Sequence, residues 1–220
     1  NLARQAAAAG VKRFIFISSV KVNGERTEAG TAFTVGQSPQ PEDAYGVSKA
    51  EAESGLRQIA ASTGMELVII RPPLVYGPGV KGNFAAMIKV ASRNYPLPLG
   101  AVYNKRSLVA LDNLIDLIMT CVTHPKAANQ TFLVSDDNDV STTELLTMMT
   151  KAAGKHPRLL PVPVSWLTLA GKVTGKNAVV DRLCGNLQVD ISHTKATLGW
   201  LPPLSVEEGI KRCFVNEVIC

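Results

Sequence analysis

FIFISS at residues 14–19, AYGVSKAEAESGLRQIA at 44–60 and LVII at 67–70 decide the fold. The first and third are short apolar runs without polar alternation, the pattern of strands buried on both faces of a parallel sheet. The second has helical spacing, and its Tyr45 and Lys49 lie four residues apart, on one helix face. Strand, helix and strand make one right-handed crossover unit, with a strand predicted at 14–17, a helix at about 44–61 and a strand at 67–70.

Working outward, residues 1–9 read as the last turns of an alanine-rich helix stopped by Gly10. Gly24, Gly30, Gly36, Pro39 and Pro41 leave a long loop at 20–43, and loops of that length tend to carry function. RPPLVYGPGVKGNF at 71–84 is expected to be irregular because of its prolines and glycines. It lies at the carboxyl end of the second strand, where open α/β folds hold ligands. Further on, the pattern predicts a helix at 83–92 capped by Asn83, a strand at 107–110 and a helix at 113–121 capped by Asp112. A strand at 131–134 precedes a helix at 141–153 that opens as a Ser141/Glu144 capping box. The remainder reads as a short edge strand at 158–164 and helices at 165–173, 178–184, 192–198 and 205–214, the last with a Ser205/Glu208 box.

Composition narrows the function classes. With 220 residues, 46% hydrophobic and 19% charged, the chain is neither collagen-like, coiled-coil nor wholly disordered. The formal charge of +5 is scattered, and 5% aromatic residues leave little for base stacking, so small anionic ligands are favoured and no nucleic-acid partner is expected. Cys121, Cys184, Cys213 and Cys220 form no CxxC pair and read as reduced thiols, Cys121 buried and Cys220 exposed. No apolar run approaches the ~18–20 residues of a membrane span, and no signal peptide is read, so a cytoplasmic protein without a membrane partner is expected. His124, His156 and His193 are too scattered to suggest a metal site. Trp166, Trp200, Met148 and Met149 are expected to fill core and joints.

The residues that point to chemistry are Ser18 and Ser19, which end a buried strand where a hydroxyl has no packing purpose, and the Tyr45/Lys49 pair. An ammonium beneath a phenol favours the phenolate, which a tyrosine general base needs. With these in hand, FIFISSVKVNG (14–24), AYGVSKAEAE (44–53), RPPLVYGPG (71–79), KRSLVALDNLIDLI (105–118) and LGWLPPLSVEEGI (198–210) resemble, in that order, the extended short-chain dehydrogenase/reductase superfamily. Within it they are most similar to the NAD-dependent epimerase/dehydratase (UDP-glucose 4-epimerase-like) family, near the bacterial surface-polysaccharide enzymes that epimerise or 4-reduce UDP-N-acetylhexosamines.

That resemblance implies an α/β chain, the C-terminal part of a doubly wound Rossmann-type parallel sheet with a smaller mixed α/β substrate subdomain. Residues 1–80 would be the second half of the Rossmann-type domain and 81–220 mostly substrate-binding, with 105–135 returning a helix and a strand to the core. It implies Ser19, Tyr45 and Lys49 as catalytic residues, and Ser18, Tyr45, Lys49, Pro72, Pro73 and Leu74 against NAD. Ser19, Asn83, Arg106 and Arg182 would bind a UDP-sugar. A homodimer would form through the helix starting at Ala44, where Ala50 and Ala52 allow close approach. The implied activity is a 4-epimerase working through a 4-keto sugar. Two readings stay open beside it: an NAD(P)H-dependent 4-ketoreductase of a UDP-4-keto-6-deoxy-N-acetylhexosamine, favoured by Leu74 where typical epimerases carry Asn, and a non-catalytic NAD-binding regulator. No GxGxxG or GxxGxxG is read between a predicted strand and a predicted helix. The resemblance also begins inside the helix before the serine strand, so a first βαβαβ portion of roughly 80–100 residues is expected to precede this chain, and the chain alone to be inactive.

Overall fold

The computed structural model describes residues 1–80 and 82–215. Helix α1 (Leu2–Ala8) leads into β1 (Arg13–Ile17), α2 (Ala44–Thr63) and β2 (Glu66–Arg71). The chain continues through β3 (Leu74–Tyr76), α3 (Asn83–Arg93), β4 (Leu108–Ala110), α4 (Leu111–Thr123) and β5 (Thr131–Leu133). Helices α5 (Thr142–Ala152), α6 (Val164–Thr174), α7 (Asn177–Cys184), α8 (Ser192–Leu198) and α9 (Val206–Val215) follow.

β1, β2 and β5 form a parallel sheet in that order, with Phe14 opposite Leu67 and Ile70 opposite Phe132. A second parallel pair joins β3 to β4, Leu74 opposite Leu108. The doubly buried strands explain their unbroken apolar sequence: Val68, Ile69 and Ile70 are fully buried, each stabilising the fold by about 1.5–3 kcal/mol through burial. Around this sheet Leu117, Phe132, Val134 and Trp200 complete one core cluster, and Tyr76, Phe84, Leu145, Met149 and Ile210 centre a second beneath β3 and β4. This is the α/β Rossmann-like architecture of parallel strands with flanking helices.

Helix α2 starts where Asp43 accepts a bond from the Gly46 amide at 2.6 Å and stops at Gly64, whose φ of 74° suits glycine. α5 opens with the Ser141/Glu144 box and α9 with Ser205 and Glu208, as predicted. Cys121 is buried on α4 and Met149 in the core, and Met148 packs partly against it.

Several expectations are corrected. Residues 74–76 are a strand, because the prolines before them fall outside the ladder and Leu74, Val75 and Tyr76 pair with 108–110. A strand therefore precedes Gly77, Gly79 and Gly82 and α3 follows them, so the Gly-x-Gly-x-x-Gly spacing does stand between a strand and a helix here. The cap of α3 is Gly82, at φ 80°, and Asn83 is its first residue. α4 is capped by Ala110, with Asp112 in its first turn paired to Arg212. Residues 158–164 form no strand; a lone Leu97–Leu159 bridge and backbone bonds from Leu97 and Gly100 to Arg158 and Leu160 hold them to the chain. Trp200 is buried, its indole N–H on Asp116 at 2.7 Å, but Trp166 is 71% exposed and fills no core. Cys220 and the side chain of Asn83 lie outside what the structure describes.

Candidate active site

Ser19 follows β1 in extended conformation and caps a short 3-10 turn at Val20–Val22. The ladder runs past the strand, with Ser18 N–H on Ile70 O at 2.7 Å and Val20 N–H on Pro72 O at 3.0 Å, so the serine is held by backbone on both sides. The Ser19 hydroxyl accepts from the Lys21 amide at 3.2 Å. Among the described residues its own proton meets no acceptor, which leaves it to donate to a bound oxygen.

Tyr45 is 51% exposed, and its phenol has no hydrogen-bond partner among the described residues. One turn on, Lys49 donates to the Ile17 carbonyl at 3.0 Å. Its ammonium lies 4.9 Å from the Phe16 ring centroid and 5.7 Å from that of Tyr45. The first turn of α2 reaches this position only because residue 46 is glycine: a β-carbon there would stand 2.8 Å from the Lys21 carbonyl. Lys21 also ties the loop to the helix start, pairing with Asp43 at 2.6 Å and Glu25 at 2.7 Å. The Lys21 ammonium and the Gly46 amide hold the Asp43 carboxyl below its usual range.

Ser18 turns the other way, into the protein. Its hydroxyl donates to Glu53 Oε1 at 2.6 Å, so its place at the strand end has a structural purpose that the sequence reading denied it. Glu53, eight residues beyond Tyr45 on α2, takes a bidentate grip from Arg71 at 2.8 and 2.6 Å. Arg71 donates in turn to Asn23 at 3.0 Å, and Asn23 to the Thr34 carbonyl at 3.1 Å. Glu53 and Arg71 are each 3% exposed. This network, joining β1, α2, β2 and the 20–43 loop, was not singled out in the sequence. The i, i+4, i+8 spacing of Tyr45, Lys49 and Glu53 was the signal that could have found it.

Pro72 and Pro73 are buried beside these strand ends, and Leu74 enters β3 and packs partly against the second core. Arg106 and Arg182, 76 residues apart, are brought together: Arg106 Nη1 donates to the Arg182 carbonyl at 2.8 Å and to Gly185 O at 3.1 Å. Burial, and then the neighbouring Arg182 charge, lower the Arg106 pKa. Among the described residues neither arginine has a carboxylate partner. Asn104 secures the same corner, donating to Gly185 O at 2.7 Å and accepting from the Thr142 amide at 2.9 Å. A layer of backbone links this cation pair to the serine loop: Thr27 and Phe33 bridge to Asn186 and Val189, and Arg106 bridges to Leu187.

The glycines at 77, 79 and 82 do not complete a dinucleotide turn. A β-carbon on Gly77 would meet Leu111 at 3.0 Å, so that approach is filled by protein, and no acidic residue stands anywhere in 83–111 to meet a ribose. A concavity of about 930 Å³ between α1 and α2, lined by residues including Arg4, Gly55, Gln58 and Ile59, contains none of the candidate residues. Among the described residues no three His, Cys, Asp or Glu side chains converge to hold a metal, and no helix is long and apolar enough to cross a membrane.

A strand-end serine, and a tyrosine and lysine one helical turn apart on the following helix of a parallel crossover unit, are the pattern of the short-chain dehydrogenase/reductase type of site. The chain belongs to the NAD dependent epimerase/dehydratase family, whose profile matches residues 1–135. It is 57% identical over 213 residues to a UDP-glucose 4-epimerase of Vibrio cholerae, covering 96% of this chain and 65% of that protein. An N-acetyl-alpha-D-glucosaminyl-diphospho-ditrans,octacis-undecaprenol 4-epimerase of Escherichia coli O157:H7 is 26% identical over 96% of this chain and 66% of its own length. In fold, the chain superposes on UDP-glucuronic acid 4-epimerase from Bacillus cereus with a TM-score of 0.77 at 20% identity, covering all of this chain and 66% of that one. The chain thus spans 64–66% of the length of three of the curated relatives it matches, and less of several others.

Proposed function

We propose that the protein containing this chain is an NAD-dependent nucleotide-sugar 4-epimerase acting on UDP-hexoses or UDP-N-acetylhexosamines. The observation that carries the reading is the Lys49 ammonium 5.7 Å from the Tyr45 ring and bonded to the Ile17 carbonyl at the end of β1, two residues before Ser19, whose hydroxyl proton meets no acceptor among the described residues. Its 57% identity to a UDP-glucose 4-epimerase supports the substrate class.

The residues present fit a nicotinamide nucleotide. The Lys49 ammonium has three donors and one is taken by Ile17 O, which leaves two for ribose hydroxyls. Leu74, which is only partly buried, would offer apolar surface to a nicotinamide ring, with Pro72 and Pro73 buried just before it, while the Ser18 hydroxyl is engaged by Glu53. Bound NAD would supply a hydride acceptor and donor at C4 of the sugar. The chain's own groups do the rest. Tyr45 takes the C4 hydroxyl proton and later returns it, while Ser19 donates to the same oxygen and holds it. Lys49 orients the ribose and keeps positive charge beside the phenol. Arg106 and Arg182 would meet the substrate diphosphate with two guanidinium forks, and Asn83 would add a contact there.

In this reading residues 1–80 complete the cofactor-binding half and 81–220 form most of the substrate-binding part, with 105–135 returning to the core. The protein works in the cytoplasm as a homodimer through α2. The test is to incubate the full-length protein with a UDP-hexose or UDP-N-acetylhexosamine and follow the sugar by NMR and NADH by absorbance. The 4-epimer should accumulate to equilibrium with no lasting change in NADH. Stoichiometric NADH consumption with a 4-keto substrate, and no epimerisation, would instead assign a 4-ketoreductase, in keeping with apolar Leu74.

A further inference from the structure

Helices α6 and α7 form a hairpin that packs chiefly on itself. Gly171 permits the close crossing, since a β-carbon there would come within 2.8 Å of Val180. On the side of α6 away from Gly171, Trp166, Leu169 and Val173 recur at i, i+3 and i+7, a single apolar stripe. They are 71%, 64% and 80% exposed. Leu160, just before α6, Val164, at its start, and Val179, on α7, are exposed as well. A side chain as large as tryptophan left this open, in line with two aliphatic residues, is the mark of a surface that meets something apolar.

The charge around the stripe says what. Residues 158–184 carry Arg158, Lys172, Lys176 and Arg182 against the single acid Asp181, more than half of the chain's formal excess of +5. All four cations are exposed, and among the described residues none is in an ion pair. A symmetric contact with a second copy would set this patch against itself, cation facing cation. An anionic lipid surface satisfies both halves: tryptophan and aliphatic side chains enter the headgroup boundary, and lysines and arginines meet the phosphates.

We propose that the α6–α7 hairpin is a membrane-surface docking element, laying Trp166, Leu169 and Val173 into the interface of an anionic bilayer with Lys172 and Lys176 on its phosphates. This is peripheral attachment, not spanning. It stands independently of the epimerase reading, since binding requires no sugar nucleotide.

The test uses the full-length protein and two kinds of vesicle, phosphatidylethanolamine with phosphatidylglycerol, and phosphatidylcholine alone, in flotation assays at low and high salt. The protein should float with the anionic vesicles and not with phosphatidylcholine, and salt should weaken binding. Two variants, Trp166→Ser/Leu169→Ser/Val173→Ser and Lys172→Glu/Lys176→Glu, should each lower the bound fraction by about tenfold or more. Both change exposed positions, so circular dichroism and turnover of a water-soluble UDP-sugar should match the wild type. Absence of flotation with anionic vesicles overturns the proposal, as does equal binding by the variants. Self-association of the wild type that the apolar variant abolishes, without vesicle binding, would overturn it in favour of a second copy.

Discussion

Replacing Arg71 with leucine tests how the site is held. The change deletes three hydrogen bonds, at 2.8 and 2.6 Å to Glu53 and 3.0 Å to Asn23. Left behind is a Glu53 carboxylate 3% exposed, with Ser18 Oγ at 2.6 Å and Arg57 at 3.8 Å as its neighbours. Breaking a buried pair from one side costs about 3–5 kcal/mol, because the buried carboxylate then keeps, among the described residues, only the longer, half-exposed Arg57 contact to balance its charge. For a chain of this size each kcal/mol shifts the midpoint by about 2–4 °C, so Tm should fall by roughly 6–20 °C. Glu53→Leu/Arg71→Leu removes both charges and strands only the Ser18 hydroxyl and the Asn23 amide, at about 1–3 kcal/mol each. The double variant should therefore cost less than the sum of the two single variants by about 2 kcal/mol or more. Urea denaturation of the full-length protein and its three variants closes the cycle. An Arg71→Leu cost below about 1 kcal/mol, or additivity within about 0.5 kcal/mol, would refute the reasoning.

Other outcomes follow from the same geometry. Gly46→Ala should lower turnover more than substrate affinity, since its β-carbon would press on Lys21 O at 2.8 Å and shift the turn carrying Tyr45; steady-state kinetics separate the two effects. Gly209→Ala should destabilise by about 1–3 kcal/mol despite better helix propensity, because the new methyl would stand 2.6 Å from the buried Tyr76 hydroxyl; thermal melts read it. Asp43 has its pKa lowered in the folded protein, so its contribution is present above the unfolded value of 3.8 and is lost as pH falls through the lower folded value. Asp43→Asn should flatten that acid limb in a stability–pH profile. Burial pushes the thiols of Cys121 and Cys213 up to about 11, so both should resist alkylation at neutral pH until the protein is unfolded, as peptide mapping would show.

The strand–helix–strand unit was legible because its residues answer to local rules: apolar runs for doubly buried strands, Asp43 and Gly64 at the helix ends, and Tyr45 and Lys49 on one face. What escaped depends on distant partners. Leu74–Tyr76 becomes a strand only because residues 108–110 are there to pair with it. Ser18 and Ser19 are adjacent and chemically identical, yet strand alternation sends one to Glu53 and leaves the other open. The approach of Arg106 to Arg182 arises from backbone bridges across 76 residues, which no periodicity encodes. Trp166 followed helical spacing like a core residue, but the facing element packs against Gly171 instead.

The central claim is that Tyr45 moves the C4 proton, and its most direct test is turnover of Tyr45→Phe in the full-length protein, measured at saturating UDP-sugar together with the NAD bound per subunit. The account predicts a fall in kcat of about 10²–10⁴-fold with cofactor content unchanged, because the phenol acts in proton transfer while Lys49 does the holding. Turnover within about threefold of wild type, at normal cofactor content, would contradict it.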